Sequence, residues 1–320
     1  MSQVKPIALV IHGGAGLSQR MAPEREAACR QALHGSLDAG CAVLTCGGSA
    51  VDAVVAAVKV LEDCPELNAG KGSVYSVDGV IEMDAAVMDG SSGNVGAVSL
   101  VKRVKNPIAA ALRVMRSTPH CLLAGESADS FAKAQGLVCF EDSSYFETVS
   151  RAEQLQRVLS AAGGKKEEVV PIVDHQGLTK GTVGACALDR EGNLAAASST
   201  GGRTGRMTGR VSDSSMAGAG FYCSKKVAVS GTGDGDGFIR TSACSRIVHM
   251  FEYGAAHSVE AACESVVRHT LKDYTAGVIA LDAQGNISWP FNVFGMIRAC
   301  VDAEGRRRIG FYAEEEVCQK

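Results

Sequence analysis

The chain has 320 residues, enough for one large domain or two ordinary ones, and its 46% hydrophobic content is ample for a buried core. A formal net charge of −3, with both signs spread along the chain, argues against nucleic acid as a main partner. No apolar run reaches membrane-spanning length, so no membrane partner is expected either.

Aromatic residues make up only 5%, with Trp289 the single tryptophan, so the core must be built from Ala, Val, Leu and Ile. None of the 12 cysteines forms a Cys-x-x-Cys pair. Most lie in apolar runs (Cys29, Cys41, Cys64, Cys186, Cys263, Cys300), which reads as reduced, buried thiols rather than a disulfide framework or a zinc site. Met1 to Pro6 lacks a signal peptide, and Ile7 to Ile11 is too short for the apolar region of one, so a cytoplasmic protein is expected. The sequon Asn286-Ile287-Ser288 reads as a chance match.

In chain order, Ile7 to Ile11 reads as a buried strand that ends in the glycine-rich His12 to Gly16. Pro23 to Thr45 reads as a helix. Ser49-Ala50-Val51-Asp52 resembles a capping box in front of an apolar helix, Ala50 to Leu61, which Cys64-Pro65 stops. Strand-like runs follow at Ser73 to Val77, Val80 to Met88 and Val95 to Val104, with Asp78-Gly79 as a hairpin signal between the first two. Pro107 to Arg116 is helical, as are Ser127 to Ala134 and Arg151 to Ala162. The polar stretch from Gly163 through His175-Gln176-Gly177 to Gly181 is the best linker candidate. Beyond it, Thr182 to Leu188 and a strand ending at Thr200 flank the turn Asp189 to Asn193. A second glycine-rich region covers Gly201 to Gly220. Lys226 to Ser230 reads as a strand, Phe238 to Tyr253 and Ser258 to Leu271 as helices, and Ala276 to Asp282 and Ile287 to Pro290 as a final pair of strands. By pattern alone this is a mixed α and β layered protein.

Four constellations carry candidate chemistry. Gly181-Thr182 sits where the linker meets a strand, and cleavage there would give Thr182 a free α-amine beside its hydroxyl. An N-terminal amine titrates at about 7.7–8.0 and can serve as the base for its own hydroxyl. Ser199-Thr200-Gly201-Gly202 ends the next strand, and a hairpin can bring Thr200 beside Thr182. In Gly209-Arg210-Val211-Ser212-Asp213-Ser214, an Arg and an Asp three apart can grip the carboxylate and the ammonium of an amino acid. Gly231-Thr232-Gly233-Asp234-Gly235-Asp236 follows a strand and precedes a helix. It fails the dinucleotide fingerprint at Asp236, and its aspartates would repel phosphate, but a Thr hydroxyl with a backbone N–H there suits an oxyanion hole. Taken singly, each has an ordinary structural explanation: a strand start, a strand-end hydroxyl, a surface ion pair, a turn. His12-Gly13-Gly14 is similar to a lipase oxyanion loop, but no Gly-x-Ser-x-Gly accompanies it, and His12 reads as structural.

Together, from Ile11-His12-Gly13-Gly14-Ala15-Gly16 through Gly181-Thr182-Val183-Gly184-Ala185 to the C-terminal strands, the chain resembles the plant-type L-asparaginase/isoaspartyl aminopeptidase family of N-terminal-nucleophile hydrolases. The resemblance implies an α+β fold, a four-layer αββα sandwich, formed by residues 1–320 as a single domain. It implies self-cleavage into residues 1–181 and 182–320, with two such units pairing as a homodimer. It makes Thr182 the nucleophile, Thr200 its hydroxyl partner, and Thr232 and Gly233 the oxyanion hole. Arg210, Asp213 and Gly235 become the substrate cradle, and Asn68 lies beside the nucleophile and assists processing at Gly181-Thr182. No cofactor is implied for catalysis. A structural sodium ion is implied at the backbone carbonyls of Leu61, Glu62, Cys64, Leu67, Ala69 and Lys71. The substrates implied are L-asparagine and β-aspartyl dipeptides.

The chain departs from the family pattern around the pocket. Arg203-Thr204-Gly205-Arg206 stands where an Asn-Lys pair is usual; Ser212 and Ser215 stand for Gly and Pro; Asp234 and Asp236 stand for a small residue or Thr and for Glu. These changes, with Lys180 before the cleavage site, bear on substrate preference and processing rate. A glycosylasparaginase-like amidase typically shows Asp-Thr at the cleavage site and a secretion signal, and a Taspase-like protein cleaver would not need the Arg210/Asp213 pair. A non-catalytic binder using Gly231–Gly237 would leave the chain intact.

Overall fold

The computed structural model describes residues 6–164, 166 and 181–313, and the backbone of 317–319. The linker candidate and Lys180 therefore lie almost wholly outside the described residues. The strands are β1 (Ala8–Leu17), β2 (Met83–Asp89), β3 (Val95–Val101), β4 (Leu122–Ala124), β5 (Val183–Leu188), β6 (Leu194–Thr200), β7 (Phe221–Cys223), β8 (Val227–Gly233), β9 (Ala276–Asp282), β10 (Ile287–Ser288), β11 (Gly295–Val301), β12 (Arg307–Tyr312) and β13 (Val317–Gln319). The helices are α1 (Pro23–Thr45), α2 (Ala50–Glu62), α3 (Pro107–Ser117), α4 (Gly125–Ala134), α5 (Val149–Ala161), α6 (Gly235–Thr241), α7 (Ala243–Glu252) and α8 (Val259–Ser265).

The strands form a nine-stranded sheet in the order β13-β12-β11-β1-β5-β6-β2-β3-β4 and a four-stranded sheet in the order β10-β9-β8-β7. All pairings are antiparallel except β3 with β4. Period-two alternation divides the apolar side chains among three cores. On β1, Leu9 and Ile11 join the core under α1, α2 and α3, whereas Ala8 and Val10 face the space between the sheets. β5 and β6 divide likewise: Ala185 and Ala197 toward the helices, Cys186 and Ala196 toward the other sheet. On the small sheet, Ala228 and Ile279 face inward, while Val229 and Val278 pack on α6, α7 and α8. The order is helices, sheet, sheet, helices: the α+β, four-layer αββα sandwich. Each buried Val, Leu or Ile contributes about 1.5–3 kcal/mol, and small Ala residues between the sheets let the two backbones approach without aromatic filling.

Helix starts follow local chemistry. Pro23 opens α1, where its missing N–H costs nothing. The Ser49 hydroxyl accepts from the Asp52 N–H at 3.1 Å and caps α2. Several segments differ from the sequence reading, which gave no bounds for β4, β7, β11, β12 or β13. β1 does not end at His12 but runs to Leu17, with register shifts between His12 and Gly14 and between Ala15 and Leu17. Gly14 and Gly16 take φ of 119° and 123° there, values that other residues rarely adopt. Asp78-Gly79 makes a turn, but pairing stops at one bridge, Tyr75 with Ile81, because the Val77 N–H bonds instead to the Arg206 carbonyl at 2.8 Å. The stretch Phe238 to Tyr253 is two helices, broken at Ser242 (φ 50°), where the Cys244 and Ser245 N–H groups bond the Ala219 and Gly218 carbonyls. The last turn of the Ser258–Leu271 helix is a π-turn over Val266–Thr270.

Candidate active site

The chemistry-bearing residues meet at one end of the sandwich, in the gap between the sheets. Thr182 immediately precedes β5 and Thr200 ends β6, and the pairing of Val183 with Ser199 sets the two threonines side by side. Thr232, near the end of β8, comes from the opposite sheet. All three are buried. The Thr182 N–H donates to Thr232 Oγ1 at 3.2 Å, and the Ala15 N–H, exposed by the β1 bulge, donates to the same oxygen at 3.1 Å. A hydroxyl has two lone pairs and one hydrogen. With both lone pairs of Thr232 engaged, its hydrogen is left to donate elsewhere.

Thr200 Oγ1 donates to the Gly181 carbonyl at 3.4 Å, and the Gly202 N–H donates to that hydroxyl at 3.0 Å. Asn68 holds the turn from beneath. Its Nδ2 donates to the Gly202 carbonyl at 2.7 Å, its Oδ1 accepts from the Val74 N–H at 3.1 Å, and its own carbonyl accepts from the Gly201 N–H at 3.1 Å. Thr200 thus reaches the carbonyl before Thr182. The hydroxyl bonded to Thr182 Oγ1 is Ser214 Oγ, at 3.4 Å. Ser214 lies inside the Arg210–Asp213 motif, but nothing in its spacing marks it as a neighbour of Thr182, and the sequence reading missed it.

His12 sits under this cluster. Ser230 Oγ spends its hydrogen on the Ala197 carbonyl at 3.1 Å, so His12 Nε2, 3.1 Å from the same oxygen, is the donor. A Cβ on Gly184 would collide with both His12 Nε2 and Ser230 Oγ, which explains the glycine two residues after Thr182. Burial holds His12 down at about 3, only partly opposed by the Thr182 backbone. Its imidazole is neutral at working pH and structural, as the sequence suggested.

The loop carrying Arg210 and Asp213 is pinned by carboxylates of the β2 region. Glu82 Oε2 accepts from the Gly209 N–H at 2.9 Å, and Asp84 accepts from the Ser212 N–H at 2.8 Å and the Leu100 N–H at 2.9 Å. Arg206 is buried and donates to the Glu82 carbonyl at 2.7 Å. Two departures from the family pattern serve the same loop. Ser212 Oγ accepts from the Ser214 N–H at 3.2 Å, and Ser215 Oγ accepts from Ser99 Oγ at 2.7 Å. The loop delivers the Asp213 carboxylate onto the Cα of Gly235, so closely that a Cβ there would collide with it and lie 3.2 Å from Arg210 Nη2. Arg210, Asp213 and Gly235 therefore lie against one another. Burial pushes the Asp213 carboxyl up to about 7, against the pull of the Arg210 guanidinium.

Beside the cluster, the loop after α2 turns carbonyls toward its own glycines. The Glu62 carbonyl abuts Gly70, and the Leu67 and Pro65 carbonyls abut Gly72, where a Cβ would clash. The Leu61, Cys64 and Ala69 carbonyls accept backbone bonds from Cys64, Leu67 and Gly72. Neutral oxygens of this kind suit a monovalent cation. Among the described residues no group of three or more His, Cys, Asp or Glu is placed to hold a metal ion.

The sequence profile of the asparaginase family matches residues 4–311. The chain belongs to the asparaginase family. It is 44% identical over 317 residues to an isoaspartyl peptidase of Salmonella typhimurium, covering 96% of this chain and 98% of that one. It is 42% identical over 318 residues to the isoaspartyl peptidase of Escherichia coli, with 96% of each covered. It is 40% identical over 294 residues to a plant-type L-asparaginase of Pyrobaculum calidifontis, covering 91% and 95%. As a member of the asparaginase family the protein is a hydrolase.

Proposed function

We propose that this asparaginase-family member cleaves itself between Gly181 and Thr182, and that the mature enzyme hydrolyses L-asparagine or β-aspartyl dipeptides. The observation that carries this reading is the shared placement of Thr182, Thr200 and Thr232, with the hydroxyl of Thr200 on the Gly181 carbonyl.

In processing, Thr182 Oγ1 attacks the Gly181 carbonyl carbon and Thr200 stabilises the oxygen that becomes negative. The C–N bond breaks as the C–O bond forms, and the hydroxyl proton ends on the new amine. Water then hydrolyses the ester, freeing the Gly181 carboxylate and restoring the Thr182 hydroxyl beside its free α-amine. In the mature enzyme that amine, of a kind whose ordinary value is about 7.7–8.0, accepts the proton of its own hydroxyl. The alkoxide attacks the substrate's side-chain carbonyl. The Thr232 hydroxyl and the Gly233 N–H hold the oxyanion, each donor supplying roughly 2.7–4 kcal/mol. Ammonia or the peptide amine leaves with the proton, and a β-aspartyl ester remains on Thr182. Water, deprotonated by the amine, releases aspartate. Arg210 binds the substrate α-carboxylate, and Asp213 with the Gly235 carbonyl binds its ammonium.

The two pieces, 1–181 and 182–320, stay joined because β1, β2 and β3 share a sheet with β5, β6, β11 and β12. On the family resemblance this unit pairs with a second copy, giving a homodimer. On the same resemblance, the carbonyls of Leu61, Glu62, Cys64, Leu67, Ala69 and Lys71 would hold a sodium ion, which would steady the loop bearing Asn68. The cysteines described are all free, and no described helix is long and apolar enough to cross a membrane, which is consistent with a cytoplasmic enzyme. The test is the intact mass of freshly purified and aged protein beside Thr182→Ala. Fragments beginning at Met1 and Thr182, absent in the variant, are expected. A chain that stays whole on prolonged incubation would support a binder instead.

A further inference from the structure

Three of the residues that depart from the family pattern are bonded to one another at the edge of the cradle. Arg203 Nη1 lies 3.0 Å from Asp234 Oδ1 and 3.2 Å from Asp236 Oδ2. The other oxygen of Asp236, Oδ1, accepts from Arg210 Nη2 at 3.1 Å. One carboxylate therefore bridges two guanidinium groups, one oxygen to each. Both arginines are only 17% exposed, whereas Asp236 is 46% exposed, so water reaches the bridge from the carboxylate side. Gly235, on which the Asp213 carboxylate rests, lies between the two aspartates.

We propose that Arg203 is a positioning residue for carboxylate recognition: acting through Asp236 it fixes the Arg210 guanidinium, and it cancels the negative charge that Asp234 and Asp236 bring to the cradle. The charges make the case. Without Arg203, three carboxylates (Asp213, Asp234, Asp236) would surround one cation, Arg210, at the point where an amino-acid substrate presents its own carboxylate. Like charges there raise the cost of binding that carboxylate, and an unanchored Asp236 could swing to occupy more of the Arg210 fork. Arg203 supplies the compensating charge and holds Asp236 to a single contact with Arg210, leaving the remaining guanidinium donors for the substrate. It touches neither Thr182 nor Gly181, so its influence falls on binding rather than on bond making.

The inference rests on the reading of Arg210 as the carboxylate binder, and the experiment separates the two. Steady-state kinetics with L-asparagine are measured for Arg203→Met, Arg203→Lys, the double variant Arg203→Met/Asp234→Ala, and Arg210→Ala, with self-cleavage followed in each by mass. Arg203→Met is expected to raise KM about tenfold, the scale of coupling between contacting charges, with kcat within about twofold and cleavage intact. Because the contacts to Asp234 and Asp236 both run through one nitrogen, Arg203→Lys is expected to recover most of the loss. Removing Asp234 as well should recover part of it by deleting surplus negative charge. An unchanged KM in Arg203→Met, or a fall in kcat at constant KM, overturns the proposal, as does failure of both the lysine and the double variant to recover KM. If Arg210→Ala also leaves KM unmoved, the cradle reading itself fails.

Discussion

The Thr200 hydroxyl donates to the Gly181 carbonyl at 3.4 Å and is itself held by the Gly202 N–H at 3.0 Å. The donor is thus in place on the bond that the proposed self-cleavage would cut. Preorganised donors on a developing oxyanion are worth about 10²–10³ in rate. Thr200→Ala is expected to slow self-cleavage by roughly that factor, and Thr200→Ser to retain most of it. A time course of fragment appearance from freshly purified precursor checks both, and equal rates in wild type and Thr200→Ala would remove Thr200 from the processing step.

Asp213 gives substrate binding a pH dependence. Burial raises its carboxyl to about 7, and only the ionised form attracts an ammonium. As pH falls through about 7 the carboxylate takes up a proton, so KM should rise on the acid side of neutrality and level off above it. Asp213→Asn should raise KM and flatten this profile, leaving the Thr182 amine to dominate what remains. KM measured against pH for both proteins is the check.

Gly235 has no room for a side chain, because a methyl there would overlap the Asp213 carboxylate and crowd Arg210. Gly235→Ala should therefore push Asp213 out of the cradle and raise KM by about tenfold or more, given the cost of unpairing a buried polar contact. Self-cleavage, which uses Thr182, Thr200 and Gly181, should proceed at an unchanged rate. A variant that neither cleaves nor folds would show the contact to be structural instead.

Glu62 links the site to stability. It is fully buried at the end of α2 and accepts from Ser199 Oγ at 2.6 Å and the Ile108 N–H at 2.9 Å. Burial outweighs these bonds and raises its carboxyl to about 8. A folded value above the ordinary one of about 4.3 means that unfolding releases a proton across this range. The contribution of Glu62 to stability should therefore be fully present below the ordinary carboxylate range and be lost as pH rises through about 8. Glu62→Gln keeps an acceptor for Ser199 and Ile108 while removing the titration, so the slope of Tm against pH should flatten.

Much of the site was legible in the chain because its parts are local motifs. Gly181-Thr182, Ser199-Thr200-Gly201-Gly202, Arg210 with Asp213, and Thr232-Gly233 each sit at a strand end or on a glycine-flanked loop, and the structure brings all four together. Helix starts were legible for the same reason, since Pro23 and Ser49 act on their own first turns. The break at Ser242 was not, because apolar periodicity continues through it and the bonds that impose it come from Gly218 and Ala219.

By itself the sequence determined the period-two strands, the hydroxyls at their ends and the glycines that let backbones approach, since these depend on neighbours a few residues apart. The tertiary structure alone decided that Ala15 and Thr182 share the Thr232 hydroxyl, that Ser214 touches Thr182, and that Arg203, Asp236 and Arg210 form one chain of charges. Those contacts join residues far apart in the chain, across two stacked sheets. A hydrogen bond tolerates only a few tenths of an ångström. Register and stacking, not spacing in the sequence, set distances to that tolerance.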